Sequence, residues 1–333
     1  MKVLVTGGLG YIGSHTCVEL LNSGHEIIVI DNLSNSKIEV KDKIMKLTGK
    51  YFTVHIADVQ NRNVLEGIFK YENIDAVIHF AGLKAVGESV EKPLMYYKNN
   101  LDSTLTLCEV MNEYNVKKLV FSSSATVYGK QDILPIKETA SLSTTNPYGS
   151  TKLFIEYILD DLYNSDNDWS IVKLRYFNPV GAHESGLIGE DPNGIPNNLM
   201  PYVCKVANKE LPHLNVFGND YNTKDGTGVR DYIHVVDLSL GHLKALEYIE
   251  KGNKGSIAIN LGTGNGYSVL EIVETYKKEN NIDVPYKIAP RRDGDIAECY
   301  ADPSKAKELL NWSTKYSLSD MVKSAHNFII RNK

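Results

Sequence analysis

A glycine-rich turn near the start of the chain constrains the fold more than any other feature. The sequence LVTGGLGYIGSH places Gly7, Gly10 and Gly13 directly after a short apolar run and at the start of a helical pattern. Glycines at this spacing allow a tight turn, close approach of a pyrophosphate to the backbone, and dense packing of helix on strand. The helix that follows offers free N–H groups and the positive end of its dipole. An ordinary turn explains a glycine triplet equally well, so the surrounding sequence has to decide.

Short apolar runs alternate with helical patterns through the first half of the chain. We predict strands at 3–6, 26–30, 52–56, 76–80, 118–122 and 170–177, and helices near 11–23, 37–47, 62–71, 93–113 and 148–164. Continuous apolar strands separated by helices are typical of a parallel sheet covered on both faces. The predicted fold class is therefore α/β, a Rossmann-type doubly wound parallel sheet that binds ligands at its carboxyl edge.

The pattern changes after about residue 178, where prolines and glycines indicate a loop-rich segment. We predict a smaller C-terminal α/β lobe with helices near 197–208, 236–250, 268–280, 303–311 and 317–331. Two further strands, near 229–236 and 256–261, could return to the main sheet. The chain is thus divided into a dinucleotide-binding domain over 1–177 and a second lobe over 178–333 that completes a cleft.

Composition excludes several function classes. The net charge is −5 with interleaved acids and bases, so we expect no nucleic acid partner, because such a partner requires a basic stripe. The four cysteines are far apart, which argues against a metal site and a disulfide framework and favours a reducing compartment: Cys17, Cys108, Cys204 and Cys299. The N-terminal apolar run is too short for a signal peptide and no run reaches membrane-spanning length, so we expect a cytoplasmic protein without a membrane partner.

An acidic residue at the end of the second predicted strand points to the cofactor. Asp31 can accept hydrogen bonds from both hydroxyls of an adenosine ribose and would repel a 2′-phosphate, so NAD is favoured over NADP. Asp58, after the third strand, and the AGLK segment at 81–84, after the fourth, fall on the same edge. Turn chemistry explains these two features equally well.

The segment NPYGSTK, residues 146–152, carries the candidate catalytic pair. Asn146 suits a helix N-cap and Pro147 the first helical position, so Tyr148 lies in the first turn and Lys152 one turn later. A free phenol is a poor base at neutral pH, but an ammonium, a helix N-terminus and a cationic nicotinamide each lower its pKa. Tyr148 could then take a proton from a hydroxyl whose carbon gives a hydride to NAD.

The spacing alone does not establish this role, because a solvated surface pair also fits Tyr-x-x-x-Lys. A second match, Tyr114 and Lys118, falls between a predicted helix end and a buried strand and lacks the capping context. The run SSSATVYG follows the fifth strand and brings hydroxyls to the same edge, where Ser124 could bind the reacting oxygen beside Tyr148. A serine cluster at a strand end is also ordinary turn chemistry.

The motifs taken together resemble the extended short-chain dehydrogenase/reductase superfamily and, within it, the NAD-dependent epimerase/dehydratase family. The likeness runs nearly end to end and is carried by TGGLGYIGSHT, HFAGLKAVGES, FSSSATVYG, PYGSTK, LRYFNPVGAH, GIPNNLMPY, FGNDY, DGTGVRDYIHV and APRRDGD. The resemblance implies an isomerase that interconverts UDP-galactose and UDP-glucose through a transient 4-keto sugar, with tightly bound NAD.

The resemblance also assigns roles to individual residues. Tyr148 is implied to be the acid/base, Lys152 to bind the nicotinamide ribose and tune the tyrosine, and Ser124 to assist. Binding of NAD is implied for Gly7, Gly10, Tyr11, Ile12, Gly13, Asp31, Asn32, Leu33, Ser34, Asn35, Ser36, Asp58, Val59, Phe80, Ala81, Gly82, Lys84, Asn99, Ser124, Tyr148, Lys152 and Phe177. Binding of the UDP-sugar, by the second lobe above all, is implied for Ser124, Tyr148, Asn178, Asn198, Leu199, Phe217, Arg230, Arg292, Asp295 and Cys299.

These substrate assignments agree with simple chemistry. Arg230 and Arg292 can offer guanidinium forks to a diphosphate, although surface salt bridges would also explain them. Phe217 is a candidate shelf for the uracil ring. Family members restricted to plain hexoses carry tyrosine where this chain has Cys299, so the resemblance implies activity on UDP-GalNAc and UDP-GlcNAc as well. A buried cysteine that fills a small hole would look the same.

Two alternatives to the epimerase remain at this point. The related nucleotide-sugar 4,6-dehydratases use a Thr-Asp-Glu group after the fifth strand, where this chain has Ser124, Ala125 and Thr126. A Rossmann protein that senses NAD without chemistry would not need the tyrosine, lysine and serine. The family implies a homodimer formed through the helices near 93–113 and 148–164, but Leu105, Leu153, Ile158 and Leu162 would equally serve the core of one subunit.

Overall fold

The strands and helices of the chain follow the predicted alternation closely. The structure, a computed structural model, describes residues 1–192, 194, 196, 198–292 and 294–332. The strands are β1 Lys2–Thr6, β2 Glu26–Asp31, β3 Thr53–Ile56, β4 Ala76–His79, β5 Lys118–Ser124, β6 Ser170–Tyr176, β7 Asn178–Val180, β8 Leu214–Phe217, β9 Val229–Arg230, β10 Tyr232–His234, β11 Gly255–Leu261, β12 Tyr267–Ser268, β13 Tyr286–Ala289 and β14 Glu298–Cys299. The α-helices are α1 Tyr11–Asn22, α2 Glu39–Thr48, α3 Arg62–Glu72, α4 Val86–Glu91, α5 Pro93–Glu113, α6 Pro147–Ser165, α7 Leu199–Ala207, α8 Val235–Glu250, α9 Val269–Asn280, α10 Ser304–Leu310 and α11 Leu318–Arg331.

Seven strands form the main sheet, in the order β11-β6-β5-β4-β1-β2-β3. The pairing is parallel throughout, and the order of strands reverses at β1, which pairs with β2 on one side and β4 on the other. A reversal of this kind opens a crevice at the carboxyl edge of the sheet, where the loops on either side diverge. The predicted Rossmann-type doubly wound fold is confirmed.

The strands carry apolar side chains on both faces of the sheet, which explains why helices cover both faces. In β1, Val3 and Val5 pack into a core with residues of α1 and α8, whereas Leu4 packs into the opposite core with residues of α3, α5 and α6. Each of these strand side chains is fully buried, which stabilises the fold by about 1.5–3 kcal/mol per large apolar side chain. Consecutive residues therefore hold two helical layers against one sheet.

The second half of the chain has a core of its own. Residues of α7, α9 and α11 pack together with β8, including Val203, Val216, Ile272 and Val322. One strand of this half, β11, lies in the main sheet beside β6, as the prediction for 256–261 allows. Among the described residues, the longest apolar helical segment falls short of what a membrane span requires.

The single strand predicted over 229–236 is wrong. This segment forms two short strands, β9 and β10, which belong to two separate small sheets and not to the main one. Asp231 separates them because its buried carboxylate accepts hydrogen bonds from the backbone N–H groups of Thr263, Gly264 and Ala301. A polar side chain fixed inward by three donors interrupts the apolar alternation, so the strand cannot continue.

Candidate active site

The glycine turn connects β1 to α1 and is packed too closely for larger residues. Gly7 has a φ of +67°, and its N–H donates to the carbonyl of Ile30 at 2.8 Å. A Cβ at Gly13 would lie 2.3 Å from the carbonyl oxygen of Gly7, so the first turn of α1 rests directly on the loop. Gly10 precedes α1 without a side-chain cap, which leaves the helix N-terminus open to an anion. The turn therefore fits the pyrophosphate of a dinucleotide.

Asp31 ends β2 beside this turn and is almost fully buried. Its carboxylate accepts from the N–H of Leu9 at 3.0 Å, the N–H of Leu33 at 2.9 Å and the hydroxyl of Ser36 at 2.7 Å. The side chain thus fixes the glycine turn against the loop at 31–36. A carboxylate at this strand end fits a ribose with two free hydroxyls.

Most of the other predicted cofactor residues lie at the same edge of the sheet. Asn32 donates to Asp58 at 2.8 Å, which joins the loops after β2 and β3. The remaining residues either begin α1 or follow the ends of β2, β3, β4 and β6: Tyr11, Ile12, Ser34, Asn35, Val59, Phe80, Ala81, Gly82, Lys84 and Phe177. Asn99 is the exception, because it lies on α5 and donates to Asn100 at 3.0 Å.

The local sequence places Tyr148 and Lys152 on the side of α6 that faces the end of β5. The side chain of Asn146 accepts from the N–H of Gly149 at 2.8 Å and caps α6, with Pro147 in its first turn. The Lys152 ammonium donates to the carbonyl of Ser122 at 2.6 Å and lies 6.0 Å from the centre of the Tyr148 ring. The two residues are therefore brought together against a sheet strand and not on a solvated surface.

Ser124 is the last residue of β5 and caps the 3₁₀ turn at Ala125–Tyr128. Its hydroxyl accepts from the N–H and the hydroxyl of Thr126, at 3.2 and 3.0 Å. It also hydrogen-bonds to the Tyr148 hydroxyl, an interaction that lowers the pKa of the phenol. The sequence-predicted triad of Tyr148, Lys152 and Ser124 thus converges at one point of the carboxyl edge.

In the chain without ligands the pKa of Tyr148 is raised and not lowered. The lowering expected from the sequence also counts a bound nicotinamide, so it stays a prediction. Burial raises the pKa of Tyr148 to about 12, and the hydrogen bond from Ser124 offsets only part of this. Burial also lowers the pKa of Lys152 to about 8, an effect opposed by the negative charge of Glu156. Desolvation exceeds the local charges because Lys152 is buried and Tyr148 is half-buried, so Tyr148 rests as a neutral phenol.

A chain of buried hydrogen bonds connects the end of β1, next to the glycine turn, to α6. His79 on β4 bonds to the hydroxyl of Thr6 at 2.7 Å and to the hydroxyl of Thr104 at 3.1 Å. Thr104 donates to the backbone of Asn100, whose side chain donates to Thr151 in α6 at 3.0 Å. Burial lowers the pKa of His79 to about 3, so the ring is neutral and serves as a fixed connector.

Three of the predicted substrate residues meet in the second lobe. The guanidinium of Arg292 donates to Asp295 at 2.9 and 3.2 Å and lies 4.8 Å from the centre of the Phe217 ring. Phe217 and Arg292 are both partly exposed, so a planar base and an anion can reach them. The arrangement is a preformed aromatic and cationic surface at the cleft.

The other arginine lies on β9, directly opposite Cys299 on β14. Arg230 donates to the carbonyl of Val229 at 2.8 Å, and Cys299 packs into a buried cluster that includes Leu153 and Phe177. Burial raises the pKa of Tyr232 to about 12, while the charges of Arg230 and Arg292 act against that rise. The charges of both arginines therefore act on the same tyrosine.

The remaining predicted substrate residues lie at or next to the starts of β7 and α7. Asn178 begins β7 and is exposed, and Leu199 begins α7. Asn198 donates to Glu190 at 2.7 Å, and Lys84 donates to the same carboxylate oxygen at 3.2 Å. Two residues of the motif GIPNNLMPY, Ile195 and Asn197, lie outside the described residues.

Sequence reasoning missed several residues of this site. Glu190 joins a predicted cofactor residue to a predicted substrate residue, and the pKa of Tyr232 responds to the charges of both arginines. No pattern distinguishes Glu190 from any other acid in a loop. Glu156 carries a usable signal, since it continues the spacing of Tyr148 and Lys152 by one more helical turn.

Comparisons with known proteins agree with this geometry. The family model described as GDP-mannose 4,6 dehydratase matches residues 4–325. A UDP-glucose 4-epimerase of Bacillus subtilis (strain 168) is 62% identical over 321 residues, which cover 96% of this chain and 94% of the relative. The crystal structure of the Bifidobacterium longum UDP-glucose 4-epimerase in complex with NAD⁺ and UDP is 55% identical, with a TM-score of 0.97 and coverage of 100% of this chain and 99% of that one. The UDP-Glc/GlcNAc 4-epimerase of Campylobacter jejuni is 38% identical, with a TM-score of 0.86 and coverage of 99% of each chain.

Proposed function

This chain belongs to the UDP-glucose 4-epimerases, within the family described by the GDP-mannose 4,6 dehydratase model, and we propose that its reaction runs through Tyr148, Lys152 and Ser124. It is an NAD-dependent isomerase that interconverts UDP-galactose and UDP-glucose through a 4-keto sugar. The observation that carries the residue assignment is the convergence of these three side chains at the carboxyl edge, beside the glycine turn.

NAD, when bound, would supply the chemistry of a hydride acceptor and donor at C4 of the sugar. The residues that would hold it are the glycine turn, through backbone N–H groups, and Asp31, through its carboxylate. The cradle fits because a Cβ at Gly13 would enter the loop and because the start of α1 carries no side-chain cap. We propose that Lys152 also binds a ribose hydroxyl of the cofactor, since its ammonium lies 6.0 Å from the centre of the Tyr148 ring.

Tyr148 is the group that moves the proton. As a phenolate it accepts the proton of the C4 hydroxyl, and as a phenol it returns one after the sugar has turned about its diphosphate. Burial opposes the phenolate, so the hydrogen bond from Ser124, the Lys152 ammonium and the N-terminus of α6 must supply the stabilisation. Ser124 also holds the reacting oxygen in place.

The UDP group is held by the second lobe. Arg230 and Arg292 can each form charge-assisted hydrogen bonds to the diphosphate, and Phe217 supplies an apolar surface for the base. Because Arg292 is paired with Asp295, the incoming diphosphate meets a guanidinium whose position is already restricted. Anchoring the nucleotide leaves the hexose free to present either face to Tyr148.

The dehydratase alternative is not favoured, although the matching family model bears that name. Elimination of water requires an acid and a base after the fifth strand, and this chain has Ala125 and Thr126 there. Thr126 donates its hydroxyl to Ser124, so it supports the serine. A protein that only senses NAD would not need Tyr148 beside the buried Lys152.

The residue assignment is tested by replacing Tyr148 with phenylalanine. We expect Tyr148→Phe to lower kcat by about 10²–10⁴-fold, because the proton acceptor is removed while the ring still fills its site. The matched control is Tyr114→Phe, at the other Tyr-x-x-x-Lys pair, which should retain wild-type kcat. Equal activity of the two variants would show that another group moves the proton.

We further propose that the chain acts on UDP-GalNAc and UDP-GlcNAc. The supporting observation is the small side chain of Cys299, which packs beside Phe177 and opposite Arg230, where the sugar would lie. A relative that is 38% identical is described as a UDP-Glc/GlcNAc 4-epimerase. Proton NMR of UDP-GalNAc incubated with the purified chain should reveal signals of UDP-GlcNAc, and an unchanged spectrum would refute the proposal.

We also propose a homodimer formed through α5 and α6. Leu94 and Leu105 on α5 and Phe154 and Tyr157 on α6 are 82%, 41%, 44% and 48% exposed in the single chain. By contrast, Leu153 and Leu162 pack into the core of the subunit. A contiguous apolar surface on two adjacent helices is typical of a subunit interface. Sedimentation should give twice the chain mass, and a monomer at micromolar concentration would contradict this.

We propose a cytoplasmic location. All four cysteines are unpaired and buried, which fits a compartment that keeps thiols reduced. Fractionation of cells that express the chain should recover it with cytoplasmic markers, and recovery from an oxidising compartment would contradict the proposal.

A further inference from the structure

The active-site face of α6 extends one turn beyond the catalytic lysine. Tyr148, Lys152 and Glu156 follow one another at intervals of four residues, so they share one side of the helix. Glu156 is 1% exposed, and a buried carboxylate of this kind is costly unless it is fully paired. The burial of Glu156 therefore depends on the partners that surround its carboxylate.

Glu156 is held by a complete set of partners. Arg175 on β6 binds it with two hydrogen bonds, from Nε to Oε1 at 3.0 Å and from Nη2 to Oε2 at 2.6 Å. The hydroxyl of Ser123 on β5 also donates to Oε1. Arg175 in turn donates to the hydroxyl of Tyr128 at 2.9 Å, and Tyr128 donates to Asn260 on β11 at 2.6 Å. The carboxylate therefore connects α6 to three strands of the main sheet.

This face of α6 contacts three consecutive residues at the end of β5. Lys152 binds the carbonyl of Ser122, Glu156 binds the hydroxyl of Ser123, and Tyr148 bonds with the hydroxyl of Ser124. Three residues of the helix face thus each hold one of three consecutive strand residues. A shift of the helix along the strand would break all three contacts together.

We propose that Glu156 is a positioning residue of the active site, which with Arg175 fixes α6 against β5 so that Lys152 and Tyr148 meet Ser122 and Ser124. The inference rests on the proposed roles of Tyr148, Lys152 and Ser124. Glu156 does not touch the reacting atoms, and it acts on the reaction through the placement and charge of Lys152.

The charge of Glu156 gives this role a measurable signature. Burial lowers the pKa of Lys152 to about 8, and Glu156 opposes that fall. The other titratable groups facing this site are His79 on β4, whose pKa of about 3 keeps it neutral, and Tyr148, Tyr96 and Tyr176, whose pKa values are all raised by burial. The positive charge of Arg175 is already paired with the Glu156 carboxylate. Lys152, whose pKa is about 8, is therefore the group among these that changes its charge between pH 6 and pH 9.

The test compares Glu156→Gln with Asp160→Asn in the purified chain, using the pH dependence of kcat. Asp160 lies one turn further along α6 and pairs with the buried Lys173, so it is a matched loss of a carboxylate from the same helix. Without the charge of Glu156, Lys152 loses its proton at a lower pH, and activity that requires the ammonium falls earlier. We expect the alkaline limb of Glu156→Gln to move down by about one pH unit. The limb of Asp160→Asn should stay with the wild type.

A second readout does not depend on turnover. The rate of Lys152 acetylation by acetic anhydride, followed by mass spectrometry against pH, should rise at lower pH in Glu156→Gln than in the wild type. If Glu156→Gln does not fold, because Arg175 is left unpaired, then Glu156→Asp keeps the charge and shortens the reach. We expect Glu156→Asp to lower kcat about tenfold with KM and the alkaline limb unchanged.

The outcomes separate this inference from the proposed function. An active wild type whose alkaline limb and acetylation profile are unaffected by Glu156→Gln, or a Glu156→Asp variant with wild-type kcat, would overturn the positioning role alone. A wild type that does not epimerise UDP-galactose would overturn the proposed function first. A lowered melting temperature with an unchanged pH profile would show that Glu156 only supports the fold.

Discussion

Tyr148 is half-buried in the chain without ligands, and this partial burial decides its resting state. Its pKa is raised to about 12, so the chain holds a neutral phenol, and the proposed reaction requires its surroundings to make that phenol more acidic. The same burial makes the Lys152 ammonium and the Ser124 hydroxyl more effective, because charges and hydrogen bonds act more strongly where water is excluded. The exclusion of water therefore both raises the pKa of Tyr148 and strengthens the interactions that can stabilise its phenolate.

The single residue Cys299 gives a prediction about selectivity between plain and N-acetylated UDP-hexoses. Cys299→Tyr should abolish interconversion of UDP-GalNAc and UDP-GlcNAc while it leaves kcat for UDP-galactose within about threefold, because the larger side chain would fill the space beside Phe177. The measurement is the ratio of the two activities by NMR. Cys299→Ala serves as the control and should keep both activities, and a parallel fall of both activities in Cys299→Tyr would contradict a role in selectivity.

At the scale of elements, the site is built where strands end and helices begin. The turn after β1 and the first turn of α1 are in direct contact, and α6 begins at a capped proline turn beside the end of β5. Helix N-termini concentrate unpaired N–H groups and positive potential, which suits a pyrophosphate at α1 and a phenolate at α6. Two helix starts thus supply much of the electrostatics of the site.

The glycine turn gives a prediction at this scale. Gly13→Ala should destabilise the fold by about 1–3 kcal/mol and remove bound NAD, because the new Cβ would lie 2.3 Å from the carbonyl of Gly7. Thermal unfolding and the absorbance of the copurified cofactor report both effects. Gly67→Ala, in α3 with open space around its Cβ, is the matched control and should stabilise the chain by about 0.5–1 kcal/mol. Retained NAD in Gly13→Ala would disprove the close packing.

Local sequence predicted the elements that bury a continuous apolar face, and missed those that depend on distant contacts. The strand patterns and the caps at Asn146 and Ser317 are local, so their helices and strands were found within a few residues. The short helix α4 and the pairing of β7 with β10 were missed, because neither has an apolar period of its own. Asp231 split a predicted strand through bonds to residues some 30 and 70 positions away.

The site follows the same rule. Gly7, Asp31, Tyr148 and Lys152 are marked by spacing relative to strands and helix caps, so they can be predicted. Glu190 and Tyr232 become visible only when the fold brings Lys84 and Asn198, or the two arginines, to one place. The raised pKa of Tyr148 also depends on packing from other elements and not on its helix alone.

At the scale of the whole molecule, the cleft is assembled from both halves of the chain. The main sheet includes β11 from the second half, and α8 packs on the sheet beside α1. We propose that residues 1–177 bind NAD and residues 178–333 bind the UDP-sugar. A fragment of residues 1–177 should then fail to fold alone, because it lacks β11 and α8, and a cooperative thermal transition of that fragment would contradict this.

The dimer proposal predicts the effect of a charge on the α5 and α6 surface. Leu94→Asp combined with Phe154→Asp should convert the dimer to a monomer, because two carboxylates would be buried without partners. Sedimentation velocity measures the change. The control is Ile133→Asp, at a side chain 81% exposed elsewhere, which should keep the mass of the dimer. A dimer that survives the double substitution must use another surface.

The central claim is that this chain epimerises a UDP-hexose at C4 with NAD that it retains. The most direct measurement is proton NMR of UDP-galactose incubated with the purified chain and no added cofactor. We expect the anomeric signals to relax to a mixture of UDP-galactose and UDP-glucose. Signals of a 6-deoxy-4-keto sugar, or a spectrum that stays unchanged even after NAD is added, would contradict it.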